Sequence, residues 1–356
     1  MTEYSRVVVK ERDWEISNAY EIVTFLGEGS FGQVAKVRVR GTENYVAMKK
    51  LLHAFDDEEN AKGTYREIRL LKHFVHRNVV GLLNIFYPPL RNPVRSVNDF
   101  EEVYLVTQLM DEDLHRFSRS NRISDYHIRY ILYQILRGLK YIHSAGVLHR
   151  DLKPGNIAVN QNMEVRILDF GLARLCSQKM TRAVGTLRYR APEVLFCWED
   201  YTKAIDMWSV GCILAELISG YVLFPGGHYF NQLEHLLNIM GNPSERFMRG
   251  ITNKYSLKYL VEYPFREKRD FHVMFPDANP LAIDLMQKLL EMVPDDRITA
   301  EEAMHHPYLR DFIEPHHHDE DIALPYEQNF ENMTQSVNCW KELVLHEIND
   351  FANRVS

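Results

Sequence analysis

The sequence predicts an α+β protein of two unlike lobes, a small strand-rich one followed by a larger helical one. Three observations lead there. Short strand patterns crowd the stretch from Tyr20 to Val106, a single helical pattern interrupts them, and after Leu114 apolar residues recur at helical spacing. In the first stretch Val37 and Val39 alternate with Lys36, Arg38 and Arg40, the period of a half-buried strand. Tyr45-Val46-Ala47-Met48 and Val103-Tyr104-Leu105-Val106 read as two further strands. The interrupting helix runs through Tyr65-Arg66-Glu67-Ile68-Arg69-Leu70-Leu71. Beyond it, Ile128, Ile131, Leu132, Ile135 and Leu139 form one helical stripe, Val210, Ile213, Leu214 and Leu217 a second, and Ala282, Leu285 and Leu289 a third. A cleft between two such lobes is a natural place for a ligand.

Composition narrows the function classes. With 46% hydrophobic and 26% charged residues, the 356-residue chain has ample material for a core. A formal charge of -7 does not point to nucleic acid. No run approaches the roughly 18 apolar residues of a membrane span, and Thr2 stands where myristoylation needs glycine. The four cysteines (Cys176, Cys197, Cys212, Cys339) lack metal-ligand spacing and read as reduced thiols of a cytoplasmic or nuclear protein. His316-His317-His318-Asp319-Glu320-Asp321 reads as a solvated acidic loop rather than a metal site.

Gly27-Glu28-Gly29-Ser30-Phe31-Gly32-Gln33-Val34 is a glycine-rich motif that dinucleotide-binding folds share. In those folds the glycines open a helix; here they are followed by the alternating strand through Val39. A strand–loop–strand cover lets bare backbone approach a triphosphate. Further elements follow in order: Val46-Ala47-Met48-Lys49, Glu67 on the one helix, His149-Arg150-Asp151-Leu152-Lys153-Pro154-Gly155-Asn156, Asp169-Phe170-Gly171 and Ala191-Pro192-Glu193. This ordered set resembles that of the protein kinases.

The resemblance implies ATP and two Mg²⁺ as cofactors, with Lys49 on the α and β phosphates and Glu67 as its ion-pair partner. Asp151 would orient the substrate hydroxyl and take its proton, Lys153 would stabilise the transferring phosphoryl group, and Asn156 and Asp169 would hold metal. Glu193 would pair with Arg297 as a structural bridge. The nucleotide would be lined by Leu26, Gly27, Glu28, Gly29, Ser30, Phe31, Gly32, Val34, Ala47, Lys49, Thr107, Leu109, Met110 and Asp113. Thr107 matches the gatekeeper and Asp113 the ribose-facing acid.

Within the kinases the chain is most similar to the MAP kinases, and among these to the stress-activated class. The similarity runs from about Trp14 to Phe351 and rests on Thr64-Tyr65-Arg66-Glu67, Tyr104-Leu105-Val106-Thr107, Gln134-Ile135-Leu136-Arg137-Gly138-Leu139-Lys140-Tyr141-Ile142-His143 and Tyr189-Arg190-Ala191-Pro192-Glu193. It implies this organisation: an N-terminal extension to residue 19, an N-lobe at 20–107, a hinge at 108–112, a C-lobe at 113–308 with an insert at about 241–266, and a C-terminal extension at 309–356 that packs on the kinase domain, its Pro325-Tyr326-Glu327-Gln328-Asn329-Phe330 segment running back along the N-lobe. It further implies Ser/Thr-Pro protein substrates bearing basic docking peptides, and an upstream dual-specificity kinase. An acidic docking patch would comprise Glu314, Asp319, Glu320 and Asp321.

Departures from the family bear on control. Thr181-Arg182-Ala183 replaces the Thr-Gly-Tyr of the activation loop, and Leu187 replaces an arginine that contacts the phosphotyrosine. The expectation is a single phosphosite, Thr181, received by Arg66, Arg150 and Arg174, with Gly63 in place of a fourth arginine. Asp111 replaces a hinge glycine, and Gln161-Asn162 an acidic pair of the docking surface. The alternative is a pseudokinase or scaffold using the docking groove, or a constitutively active enzyme.

Overall fold

The computed structural model describes residues 4–29, 32–88, 100–120, 123–175, 186–198, 201–313, 321–327 and 329–355. They fall into two compact units. One comprises Met1–Val75, Val80–Met110 and Glu327–Ser356; the other comprises His76–Val79 and Asp111–Tyr326.

The first unit begins with a hairpin, β1 (Tyr4–Val9) and β2 (Arg12–Ser17). Then come β3 (Tyr20–Gly29), β4 (Gly32–Val39), β5 (Tyr45–Leu51), helix α1 (Glu58–His73), β6 (Leu82–Phe86) and β7 (Tyr104–Gln108). Strands β3-β4-β5-β7-β6 form an antiparallel sheet in that order. Its register explains the alternating sequence. Ala35 pairs with Met48, Val37 with Val46 and Met48 with Val106, and all are buried on one face beneath Trp14 and Ile16 of the hairpin. Trp14 is sealed by a bond from its Nε1 to Gln33 Oε1 (3.1 Å) and by the edge of Tyr104, 5.6 Å away. The hairpin is therefore part of the core, a role that the sequence reading of residues 1–19 as an extension did not assign.

Helix α1 starts where Asp57 accepts a hydrogen bond from Asn60 N, and it carries Glu58 and Glu59 in its first turn and Lys72 and His73 in its last, as the helix dipole favours. The C-terminal helix Val337–Val355 packs along it. Trp340, Val344 and Ile348, spaced i, i+4, i+8, are the buried face. Tyr65, Phe330 and Trp340 form an aromatic cluster with centroids 4.9–6.2 Å apart.

The second unit opens with β8 (Glu112–Asp113), α2 (Leu114–Ser120) and the long α3 (Asp125–Ser144), whose fourteen buried residues show it enclosed on most sides. Short strands β9 (Val147–Leu148), β10 (Ile157–Val159), β11 (Val165–Ile167) and β12 (Arg174–Leu175) pair as β11-β10-β8 and β12-β9. The one-turn α4 (Pro192–Leu195) and the buried α5 (Ala204–Ser219) follow. Gly220 closes α5 in the left-handed region, φ 77°, with its N–H on Glu216 O at 2.7 Å. The predicted stripes lie on α3, α5 and the helix Pro280–Leu289. Residues 309–356, expected as one extension, divide: 309–326 belong to the second unit and 327–356 to the first.

Candidate active site

In the first unit, side chains alternate across the sheet, so the face opposite the core carries the residues expected to meet the nucleotide. Gly27 is paired with Val34, Val34 with Lys49, and Ala47 with Thr107. Cross-strand partners and i, i+2 neighbours point the same way, so Val34, Ala47, Lys49 and Thr107 share that face and are only partly buried. Lys49 Nζ donates to Glu67 Oε1 of α1 at 2.7 Å, the expected ion pair. Gly32 is required by space: a Cβ there would stand 2.5 Å from Lys50 O. Ser30 and Phe31 lie outside the described residues; Leu26, Glu28 and Gly29 lie on β3, and Leu109 and Met110 follow β7.

In the second unit the catalytic-loop residues converge on one carboxylate. Asp151 Oδ2 accepts from Lys153 Nζ at 2.7 Å and Asn156 Nδ2 at 3.0 Å; Oδ1 accepts from Thr186 N at 2.6 Å and Thr186 Oγ1 at 2.8 Å. Lys153 Nζ also donates to Thr186 Oγ1, 2.8 Å away. Asn156 commits its amide N–H groups to Asp151, its second bond reaching Asp151 O at 2.8 Å. Its side-chain oxygen is thus the atom it offers a cation, the hard donor that Mg²⁺ takes. Asp169 supplies a carboxylate of the same kind, on a backbone at φ 63°.

The loop is held from beneath. Asp206 on α5, fully buried, accepts from His149 N and Arg150 N (both 2.9 Å) and from His143 Nε2 (2.8 Å). Burial pushes the Asp206 carboxyl up, but the bonds from His143 and the Arg150 amide, with the nearby His149, outweigh it and hold the group below its ordinary value. His149 Nε2 donates to Leu168 O at 2.8 Å and its ring meets Phe170 edge-on at 5.4 Å, tying the loop to the Asp169 segment. Glu193 and Arg297, both with 0% of the side chain exposed, form the expected bridge through two bonds of 2.7 and 3.0 Å; Arg297 adds bonds to three backbone carbonyls.

A small pocket adjoins Asp151, lined by Leu152, Thr186, Arg190, Val194, Ile205 and Ser209. Asp113, the expected ribose partner, accepts from Arg116 N at 2.9 Å at the start of α2.

Each arginine expected to receive a phosphate has a partner within its own unit. Arg66 is buried on Glu331 of the C-terminal segment: Nη2 donates to Oε2 at 2.7 Å and Nε to Oε1. Arg150 lies 5.7 Å over the Tyr201 ring, and Arg174 donates to Ala173 O at 3.2 Å. Thr181, with Arg182 and Ala183, lies outside the described residues, as do Glu314, Asp319 and Glu320. Asp321 corrects the docking assignment. It is 2% exposed and bound by Arg137 and His76, so it belongs to the interior and not to an acidic surface patch.

Sequence reasoning missed Thr186, Asp206 and His143. Asp206 had a signal, an acid opening an otherwise apolar helix; Thr186 had none, since its role depends on a fold that returns the chain to Asp151.

This carboxylate held by a lysine, an asparagine and a threonine, with a lysine–glutamate pair on the sheet, is the equipment of protein kinases. The protein kinase domain model matches residues 20–309, and the chain belongs to that family, whose members use ATP and Mg²⁺. Within it the chain is a mitogen-activated protein kinase of the stress-activated, p38 type. It is 64% identical over 351 residues to putative mitogen-activated protein kinase 14C of Drosophila melanogaster, covering 99% of this chain and 98% of that one. It is 47% identical to mitogen-activated protein kinase p38b of the same species (99% and 95% covered), and 44% identical to mitogen-activated protein kinase 14 of Xenopus laevis (95% and 92%).

Proposed function

We propose that the chain transfers the γ-phosphoryl group of ATP to Ser or Thr followed by Pro in protein substrates, as a stress-signalling kinase. The observation that carries this reading is the placement of the Asp151 carboxylate, which Lys153, Asn156 and Thr186 hold by four hydrogen bonds. A scaffold has no use for such an arrangement.

Phosphoryl transfer asks little covalent chemistry of the protein; it asks for alignment and charge neutralisation. Asp151 orients the attacking hydroxyl and receives its proton, and Lys153 faces the charge that develops on the transferring group. Lys49, held by Glu67, binds the α and β phosphates. Asn156 and Asp169 would hold Mg²⁺, which supplies positive charge against the β and γ phosphates. Recognition of the proline is assigned to the surface around Arg190, beside Asp151.

The test is phosphate transfer from γ-labelled ATP into a Ser-Pro peptide, beside the same peptide carrying Ser-Ala or Tyr-Pro. The Ser-Pro peptide is expected to be the preferred acceptor by at least tenfold in kcat/KM; equal labelling of all three would overturn the specificity. Control is assigned to one phosphate on Thr181, placed by an upstream dual-specificity kinase and received by Arg150 and Arg174. After such treatment, Thr181→Ala should fall below wild type in the same assay, and equal activity would remove the switch.

A further inference from the structure

Asp321 lies far from Asp169 in sequence, yet a continuous path of hydrogen bonds inside the second unit joins its carboxylate to the strand that delivers Asp169. The path begins in the interior. Arg137 of α3 holds the Asp321 carboxylate through Nε (3.0 Å to each oxygen) and Nη2 (2.9 Å), and His76 Nε2 meets Oδ1 at 3.0 Å. His76, Arg137 and Asp321 are each less than a twentieth exposed at the side chain. Burial alone would push the Asp321 carboxyl up, but the bonds from His76 and Arg137 dominate and hold it below its ordinary value.

The second nitrogen of His76 continues the path. His76 Nδ1 accepts from Asn78 N at 3.1 Å, so its proton sits on Nε2 and points to Asp321; the two neighbours fix the tautomer between them. The ring lies flat on Tyr141, 4.7 Å away. Asn78 then holds the edge of β11 away from β10 at both of its ends: its Nδ2 donates to Val165 O at 3.0 Å and its carbonyl accepts from Ile167 N at 2.9 Å. Gln134 Oε1 closes the ring of bonds by accepting from Asn78 Nδ2 (3.1 Å) and Val165 N (3.0 Å). From β11 the chain passes through Leu168, whose N–H reaches Asn156 O at 2.9 Å, to Asp169 in its left-handed conformation.

A non-glycine residue at positive φ stays there only when its surroundings over-determine it, and β11 is the surrounding that Asp169 directly continues. We propose that Asp321 is a positioning residue for Asp169, acting through His76 and Asn78 on strand β11. The tail segment contributes to the phosphoryl-transfer site in this way, although it carries no group that touches the reactants. The inference rests on the assignment of Asp169 as a metal ligand.

The experiment uses the full chain with Asp321→Ala and the gentler Asp321→Asn, which removes the charge and keeps the shape. Two quantities are read: amide hydrogen exchange of residues 165–169 without nucleotide, and the Mg²⁺ concentration for half-maximal phosphate transfer at saturating ATP. Partners one shell out from a metal ligand typically change metal affinity by about 10–100-fold; Asp321 acts from further away, so a rise of about three- to tenfold in the Mg²⁺ midpoint is expected. Exchange at 165–169 should quicken in step, more for Ala than for Asn. Wild-type exchange at 165–169 and a wild-type Mg²⁺ midpoint in either folded variant would overturn the proposal and reduce Asp321 to an anchor of the tail. Exchange is measured without turnover, so a failure of the kinase assignment, seen as wild-type protein without Mg²⁺-dependent transfer, is recognised separately.

Discussion

Thr186 supplies two of the four hydrogen bonds that the Asp151 carboxylate receives, and its hydroxyl also accepts from Lys153. It thereby couples Asp151, proposed to take the proton, to Lys153, proposed to face the phosphoryl charge. Removing the hydroxyl leaves the backbone bond but frees Lys153 on one side. Misplacement of a reacting group by about 1 Å can cost around 10²-fold in rate. Thr186→Ala should therefore lower kcat by about 10- to 100-fold with little change in KM for ATP, and Thr186→Ser should recover most of it. Steady-state kinetics of the two variants decide; equal kcat for Thr186→Ala and wild type would deny the coupling. Residues such as Lys49, Asp151 and Asp169 were legible in the sequence because local chain geometry fixes their spacing within a motif. Thr186 and Asp206 were not, since their partners lie 35 and more positions away. Asp321 was misread for a related reason: its acidic neighbours suggested solvent, while its actual partners, His76 and Arg137, are remote in sequence.

Among the elements, α1 is governed by what lies along it. It presents Lys62, Arg66, Arg69 and Lys72 at helical spacing, and each pairs with the C-terminal segment: Lys62 and Arg66 with Glu331, Arg69 with Glu347, Lys72 with Glu347 and Asp350. Between them Tyr65 packs on Phe330 and Trp340. The helix that carries Glu67, and so orients Lys49, is thus clamped over three turns within its own unit. The periodicity announced α1 as a helix, but its basic stripe read equally well as a solvated face; only the return of residues 327–355 turns it into an interface. Breaking a buried ion pair by deleting one partner strands the other charge, at a cost of roughly 3–5 kcal/mol. Glu331→Ala should lose about that much in urea-induced unfolding, because Arg66 is left buried. A loss below about 1 kcal/mol, the range of exposed pairs, would show that the pair contributes no more than a surface contact.

At the scale of the whole chain, each unit closes its own core around its share of the chemistry. In the first, the N-terminal hairpin covers one face of the sheet with Trp14 and Ile16, leaving the other face to Val34, Ala47, Lys49 and Thr107. In the second, the buried Asp206 and the Glu193–Arg297 bridge hold the segments that converge on Asp151. The fold class followed from strand and helix periodicity, and the packing of the tail on the N-lobe from the family resemblance, whereas the hairpin's place in the core did not, because it depends on packing between remote segments. The proposed function rests on the assignment of Asp151 as the group that orients the attacking hydroxyl and takes its proton. Its most direct test is the multiple-turnover rate of ADP formation coupled to phosphopeptide, followed by mass spectrometry for wild type and Asp151→Asn. Loss of a proton-accepting group typically lowers rate by about 10²–10⁴-fold. The account predicts one ADP per phosphopeptide in wild type and a fall of that size in Asp151→Asn, with nucleotide binding retained. Turnover that is equal in the two proteins, or absent from both after treatment with an upstream kinase, would contradict it.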